Sequence, residues 1–219
     1  GETEFVRGMA AMAASGIYGK TQVAAAIVGF ADLRLGEEVK DILQAHIEAG
    51  GGRFRGIRHS TAHDPDAGIL GAEHTSPNPG LFQEETFRKG FAQLAPLNVS
   101  FDAWFYHPQM PELTDLAQAF PETPIVMDHV GAPLGIGPYK GLRDEIFSQW
   151  SANVTALAKC SNVYVKLGGL AMKLTGFGHH KLDVPPSSEV LAGDWKPYLM
   201  HCIEAFGPER CMFESNFPV

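Results

Sequence analysis

The chain has 219 residues, 45% hydrophobic and 19% charged, the balance of a globular protein with material for a large core. Seventeen basic against 25 acidic residues give a net charge of −8 with no basic stripe, which argues against a nucleic-acid partner. No apolar run reaches the roughly 18–20 residues of a membrane span. Three cysteines without a C-x-x-C pair argue against a disulfide framework and for a reducing, cytoplasmic setting.

The first predicted element is a helix over 2–15, with Thr3 placed to cap it and Gly16 to stop it. A strand follows over 23–31, then a helix from Gly36 to Ala49 whose Val39, Ile42, Leu43 and Ile47 recur at helical spacing. The second strand is 54–59. Residues 60–80 read as a long loop rich in Gly, Pro, Asp and His, a length that is usually functional or disordered. A helix near 83–95 leads to a strand over 99–106, and a helix near 111–119 to a strand over 124–130. A helix near 142–159 precedes the strand 163–168. A second loop, 171–188, and a helix near 193–206 lead to the last strand, 211–216.

This is βα alternation, with no domain linker, so residues 1–219 read as a single α/β domain. Two architectures fit six parallel strands: an incomplete (β/α)8 TIM barrel, or an open doubly wound sheet. The open sheet favours a Gly-rich phosphate turn after its first strand. Gly29-Phe30-Ala31-Asp32 is no such turn, and there is no P-loop. Polar residues at many strand ends favour the barrel, whose chemistry sits at the C-terminal face.

His129 ends the apolar run Ile125-Val126-Met127-Asp128 and precedes Val130-Gly131. Alternation along a strand sets His129 on the face of Ile125 and Met127, with Asp128 opposite. An imidazole there suits a metal or a proton transfer near neutral pH. The competing reading is a hydrogen-bonded structural histidine. Arg58 and His59 end the second strand; one of the two points inward, and Arg58 suits a carboxylate. Trp104, Tyr106 and His107 end the third strand, where Trp104 suits packing and His107 reads as loop surface or a substrate contact. Lys166 interrupts an apolar strand and therefore needs a partner or a use. Glu214 and Asn216 share a face of the last strand; Asn216 offers only an amide. His63, His74, His179 and His180 read as solvated loop residues, and the tandem pair as a weak metal signal.

Four motifs in order carry a resemblance: Gly56-Ile57-Arg58-His59, Asp128-His129-Val130-Gly131, Val165-Lys166-Leu167-Gly168-Gly169-Leu170, and Arg210-Cys211-Met212-Phe213-Glu214-Ser215-Asn216-Phe217-Pro218-Val219. With Trp104 and His107-Pro108-Gln109 between them, the chain resembles the amidohydrolase-2 family from about residue 23 onward. The resemblance implies a (β/α)8 barrel with hydrolase activity. The family opens on an H-x-H strand, which this sequence lacks, so the chain reads as a fragment or a trimmed chain. His129 matches the mid-barrel histidine, a metal ligand in metal-bearing members and a substrate-polarising group in metal-free lactonases. Arg58 and Lys166 match strand-end positions of the lactonase-like branch. The family's Gly-Ser-Asp-Trp-Pro carries the general base, whereas Asn216 stands here; Glu214, two residues earlier, is the candidate replacement.

The function expected is a hydrolase opening a small lactone, ester or amide, carboxylated or sugar-derived, with activated water. His129, Glu214 and Asn216 form the catalytic set, and Arg58, His59, Trp104, His107 and Lys166 bind substrate. The cofactor is one divalent metal, zinc or manganese, on His129, with a metal-free site as the other option. The partner is a small molecule, neither nucleic acid nor membrane, and a homo-oligomer is compatible. The alternatives are a metal-assisted decarboxylase or lyase of the same fold, and a metabolite-binding barrel without catalysis.

Overall fold

A computed structural model describes residues 1–66, 68, 69 and 78–217. His74, Pro218 and Val219 lie outside the described residues. The helices are α1 (Glu2–Ala14), α2 (Val39–Gly50), α3 (Glu85–Phe91), α4 (Met110–Ala119), α5 (Arg143–Leu157) and α6 (Ser188–Phe206). The strands are β1 (Ile27–Gly29), β2 (Phe54–Ser60), β3 (Ser100–Trp104), β4 (Ile125–Met127), β5 (Val163–Leu167) and β6 (Cys211–Phe213). They form one sheet in the order β1-β2-β3-β4-β5-β6, the sequential order of a (β/α) barrel. The pairings Ile27↔Phe54, Met127↔Val165 and Val165↔Cys211 are all parallel.

The periodicities behave as expected of packed βα units. In α5 the buried residues are Ile146, Trp150, Val154 and Leu157, one helical stripe. In β5 Val163 and Val165 are buried while Tyr164 and Lys166 are half-buried, the alternation of a strand. α2 closes on Gly51 in the left-handed region, φ 55°, where a residue without Cβ carries little penalty.

Several boundaries differ from the sequence reading, four of them in ways that bear on the argument. The strand expected at 23–31 is only Ile27–Gly29, and the strand expected at 124–130 stops at Met127. The last strand stops at Phe213, so Glu214 and Asn216 share no strand face; Asn216 sits in a left-handed turn at φ 53°. α6 begins five residues before 193, because the Ser187 hydroxyl caps Val190 N–H at 3.4 Å. Gly193 and Pro197 obscured that start, since neither favours a helix interior.

By contacts the chain divides into two compact units. The first comprises 1–59, 83–102 and 122–124. Its core holds Leu33, Val39, Leu43, Ile57, Phe87, Phe91 and Phe101, all essentially inaccessible. α1 is tied to α2 by the Thr3 hydroxyl and His46 Nδ1 at 2.8 Å, while His46 Nε2 lies 2.9 Å from the Phe30 carbonyl.

The second unit comprises 60–82, 103–121 and 125–219. In it α4 packs on α5 and α5 on α6, around Trp150, Val154, Cys202 and Phe206. Arg210 closes this packing. Its guanidinium donates to the carbonyls of Phe206, Cys160, Val163 and Ala158 at 2.9 to 3.2 Å, satisfying the orphan ends of α5 and α6 together. The three cysteines are free thiols. No described helix is long and apolar enough to cross a membrane.

Candidate active site

The site begins where β4 ends. Asp128–Gly131 form a tight turn, and His129, Val130, Gly131 and Ala132 take φ values of 54°, 49°, 72° and 42°. Three of these four carry a Cβ, and left-handed backbone costs such residues about 1–2 kcal/mol each. Val130 is β-branched, which makes its conformation a true outlier. The turn is held by buried bonds: Trp150 Nε1–H donates to the Val130 carbonyl at 2.8 Å, and Ala132 N–H to the His129 carbonyl at 2.9 Å. His129 is thus aimed by a strained turn and not by strand alternation, which corrects the sequence argument for its direction. Strain of this kind concentrates at functional sites.

His129 Nδ1 lies 2.6 Å from Glu214 Oε2, with the two side chains 3% and 11% exposed. With Nδ1–H donating to the carboxylate, Nε2 carries the ring's remaining lone pair. The Trp104 ring meets the imidazole edge to face at 4.9 Å. Behind the pair stand Gly168 and Gly169. A Cβ on Gly169 would sit 2.8 Å from His129 Cγ, and one on Gly168 would sit 2.8 Å from Glu214 Cβ. The Gly-Gly of this motif is therefore the space that the paired side chains of His129 and Glu214 occupy. Asn216 lines, with Glu214, Gly168 and Gly169, a largely apolar cavity of about 490 Å³ beside α6.

Lys166 Nζ lies 2.7 Å from Asp128 Oδ1, and Asp128 is completely buried. The expected partner of Lys166 is thus the residue just before His129. Removing Lys166 would leave the buried Asp128 carboxylate without this cation, a destabilising change. Asp128 has a structural part that the sequence reading missed; the signal was its place beside His129 in the same motif.

His107 is not loop surface, which corrects the first of its two sequence readings. It is 1% exposed, and its Nδ1 accepts from Leu134 N–H at 3.2 Å. Burial pushes its ring down to about 4, against a smaller opposing pull from Asp64. The Tyr139 hydroxyl donates to Asp64 Oδ2 at 2.7 Å, and its ring meets His107 at 5.4 Å. Burial, with that hydrogen bond second, pushes the Tyr139 phenol up. Neither Asp64 nor Tyr139 was singled out from the sequence, because only folding brings them 75 positions together.

Arg58 and His59 belong to the first unit and the other six candidates to the second. Alternation holds for this pair, with His59 buried and Arg58 half-buried. His59 Nδ1 accepts from Leu33 N–H at 3.2 Å and is 3.9 Å from Asp32 Oδ1, between the rings of Phe30 and Phe87. Burial pushes His59 down to about 4. His179 is also not a solvated residue: it pairs with Asp194 at 2.9 Å, while His180 is exposed, so the tandem does not converge.

Two depressed histidines set a pH dependence. Each has a folded value of about 4 against 6.5 for the free side chain, so between these values the unfolded chain binds protons that the folded one refuses. Their contribution is complete above pH 6.5 and is lost as pH falls toward 4, about 3 kcal/mol for each ring. Urea unfolding should show a clear drop in stability from pH 7 to pH 4.5, and the double variant His59→Asn, His107→Asn should flatten it. An equally steep drop in that variant would assign the dependence to other groups.

The donor set does not complete a metal centre. No group of three or more His, Cys, Asp or Glu gathers among the described residues, and His129 and Glu214 bind each other. A stable divalent centre takes three or four.

Sequential parallel strands with polar groups gathered beyond their ends define a (β/α)-barrel architecture. The chain belongs to the amidohydrolase family Amidohydro_2, whose profile matches residues 17–219. Uncharacterized protein y4mH of Sinorhizobium fredii is 33% identical over 219 residues, which is 100% of this chain and 62% of the relative. An L-fucono-1,5-lactonase of Burkholderia multivorans is 25% identical over 196 residues, 89% of this chain and 58% of that protein. The crystal structure of an amidohydrolase from Burkholderia multivorans with bound zinc superposes with a TM-score of 0.70 at 24% identity, covering 99% of this chain and 64% of that one. The chain thus spans about three fifths of the length of the curated relatives it matches. The fold is an α/β barrel of the amidohydrolase type, incomplete in this chain.

Proposed function

We propose that this chain is the catalytic barrel, as one domain, of a hydrolase that opens a small lactone, ester or amide with water activated by His129 and Glu214. The observation that carries the reading is the buried 2.6 Å contact between His129 Nδ1 and Glu214 Oε2. The lactonases among its relatives support the substrate class.

In this reading Nε2 of His129 takes a proton from water as the oxygen bonds to the acyl carbon. Glu214 keeps the ring in the tautomer that can do so and stabilises the imidazolium that forms. Collapse of the tetrahedral adduct breaks the bond from the acyl carbon to the ring oxygen, and the imidazolium returns its proton to that oxygen. The product of a lactone is one hydroxy acid. Trp104 sets the ring's plane, and Lys166 steadies Asp128 at the base of the turn. Asn216 is assigned a hydrogen-bonding role without proton transfer. The zinc in a solved relative supports a divalent metal as an additional partner, but the two donors here supply no complete site and no step depends on one. The free thiols fit a reducing, cytoplasmic setting.

The test is a panel of 1,5- and 1,4-aldonolactones and dicarboxylate lactones incubated with the full-length protein. Proton release is followed in weak buffer, products by NMR, and metal content by elemental analysis. One proton and one hydroxy acid per turnover support the proposal. Release of carbon dioxide instead points to a decarboxylase, and saturable binding without turnover to a metabolite-binding barrel.

A further inference from the structure

The left-handed turn that aims His129 needs something to hold its far side. Trp150 holds the Val130 carbonyl on the near side. Beyond the turn, Ala132 is still left-handed at φ 42° and is followed by Pro133, which has no N–H to give. The backbone groups that remain here are the Ala132 carbonyl and the Leu134 N–H, in buried residues. Both bond to one residue: His107 N–H donates to the Ala132 carbonyl at 3.4 Å, and His107 Nδ1 accepts from Leu134 N–H at 3.2 Å.

His107 is itself fixed. It lies in a short 3-10 turn, His107–Gln109, braced by the buried amide of Gln109. Gln109 Oε1 accepts from Tyr106 N–H at 3.2 Å and from His63 N–H at 2.9 Å, and Gln109 Nε2 donates to the Thr61 carbonyl at 2.8 Å. The other ring nitrogen of His107, Nε2, is buried with no hydrogen-bond partner among the described residues. An unsatisfied buried donor costs about 1–3 kcal/mol. The hydrogen bond that the side chain makes is at Nδ1.

We propose that His107 is a positioning residue, whose Nδ1 and backbone N–H clamp the turn that presents His129 to the substrate. The inference rests on the reading of His129 and Glu214 as the acting pair. The hydrogen bonds of His107 run to Ala132 and Leu134, and it acts through them. Its depressed ring keeps Nδ1 an acceptor at neutral pH.

The test compares His107→Ala, His107→Asn and His107→Gln in the full-length protein. The Oδ1 of Asn falls near the place of Nδ1, and the side-chain end of Gln near the place of Nε2. With an aldonolactone as substrate, His107→Ala should lower kcat about 100-fold with KM within twofold, the scale of a misplacement near 1 Å. His107→Asn should recover most of that loss and His107→Gln little of it. Recovery by Gln instead of Asn, or a change confined to KM, would assign His107 to direct substrate contact and overturn the proposal. A second readout needs no substrate. In nitrogen-15 histidine spectra, the slowly exchanging Nδ1 proton of His129 should survive in His107→Asn and be lost in His107→Ala. Its survival in His107→Ala overturns the clamp even if no lactone is ever turned over, whereas its loss with no lactonase activity in the unsubstituted protein refutes only the assigned reaction.

Discussion

Glu214→Gln is expected to lower turnover by about 10²- to 10⁴-fold while the protein stays folded. The contact it alters is 2.6 Å long and shielded from water, and the carboxylate can only accept there. An amide either turns its NH₂ toward Nδ1, which drives the His129 proton onto Nε2 and removes the base, or turns its oxygen and loses the charge that stabilises the imidazolium. Both routes act on kcat more than on KM. The fold should survive because Glu214 lies beyond the end of β6 and the substitution conserves shape. Turnover on the best lactone, with far-ultraviolet circular dichroism and a urea midpoint as controls, decides it. An unchanged rate would remove Glu214 from the mechanism.

Gly169→Ala should damage both stability and rate. At φ 76° the added Cβ carries the left-handed penalty of about 1–2 kcal/mol. It would also stand 3.0 Å from His129 Nδ1, 2.8 Å from Cγ and closer still to Cβ, all atoms of a side chain that is itself boxed in. Overpacking of this kind costs about 1–3 kcal/mol, for a sum of about 2–5 kcal/mol. The ring can yield only by swinging away from Glu214, so kcat should fall about 100-fold as well. Gly178→Ala is the control: at φ 78° its backbone is nearly the same but it has nothing within 4 Å, so it carries the backbone penalty alone. Urea unfolding and turnover of the two variants separate the terms. Equal losses in both would show that contact with His129 contributes nothing.

Much of this was legible in order along the chain, though not always for the right reason. His129 was singled out because it ends an apolar strand, yet the strand ends at Met127 and a left-handed turn does the aiming. Turns of that kind have no sequence signature when their residues are His, Val and Ala, since those side chains disfavour the conformation. The strand face shared by Glu214 and Asn216 does not exist; what the structure adds is the contact of Glu214 with His129, on which its proposed role rests. Lys166 was expected to need a partner; that the partner is Asp128 depends on the register of β4 with β5. His107 was read as surface because Pro108 follows it, and proline usually marks a loop.

By itself the sequence determined the alternation of strands and helices, the parallel α/β class and the family, because periodicity, caps and motif order are local properties of a chain. It also determined which residues are chemically unusual for their surroundings, such as Lys166 within an apolar strand. Only the tertiary structure decided the pairings. His129 and Glu214 are 85 residues apart, His107 and Leu134 are 27 apart, and Arg210 reaches carbonyls up to 52 residues away. Such contacts follow from strand register, from the room left by Gly168 and Gly169, and from the need of every buried polar group for a partner. These are balances struck among distant segments, and they exist only once the chain has closed upon itself.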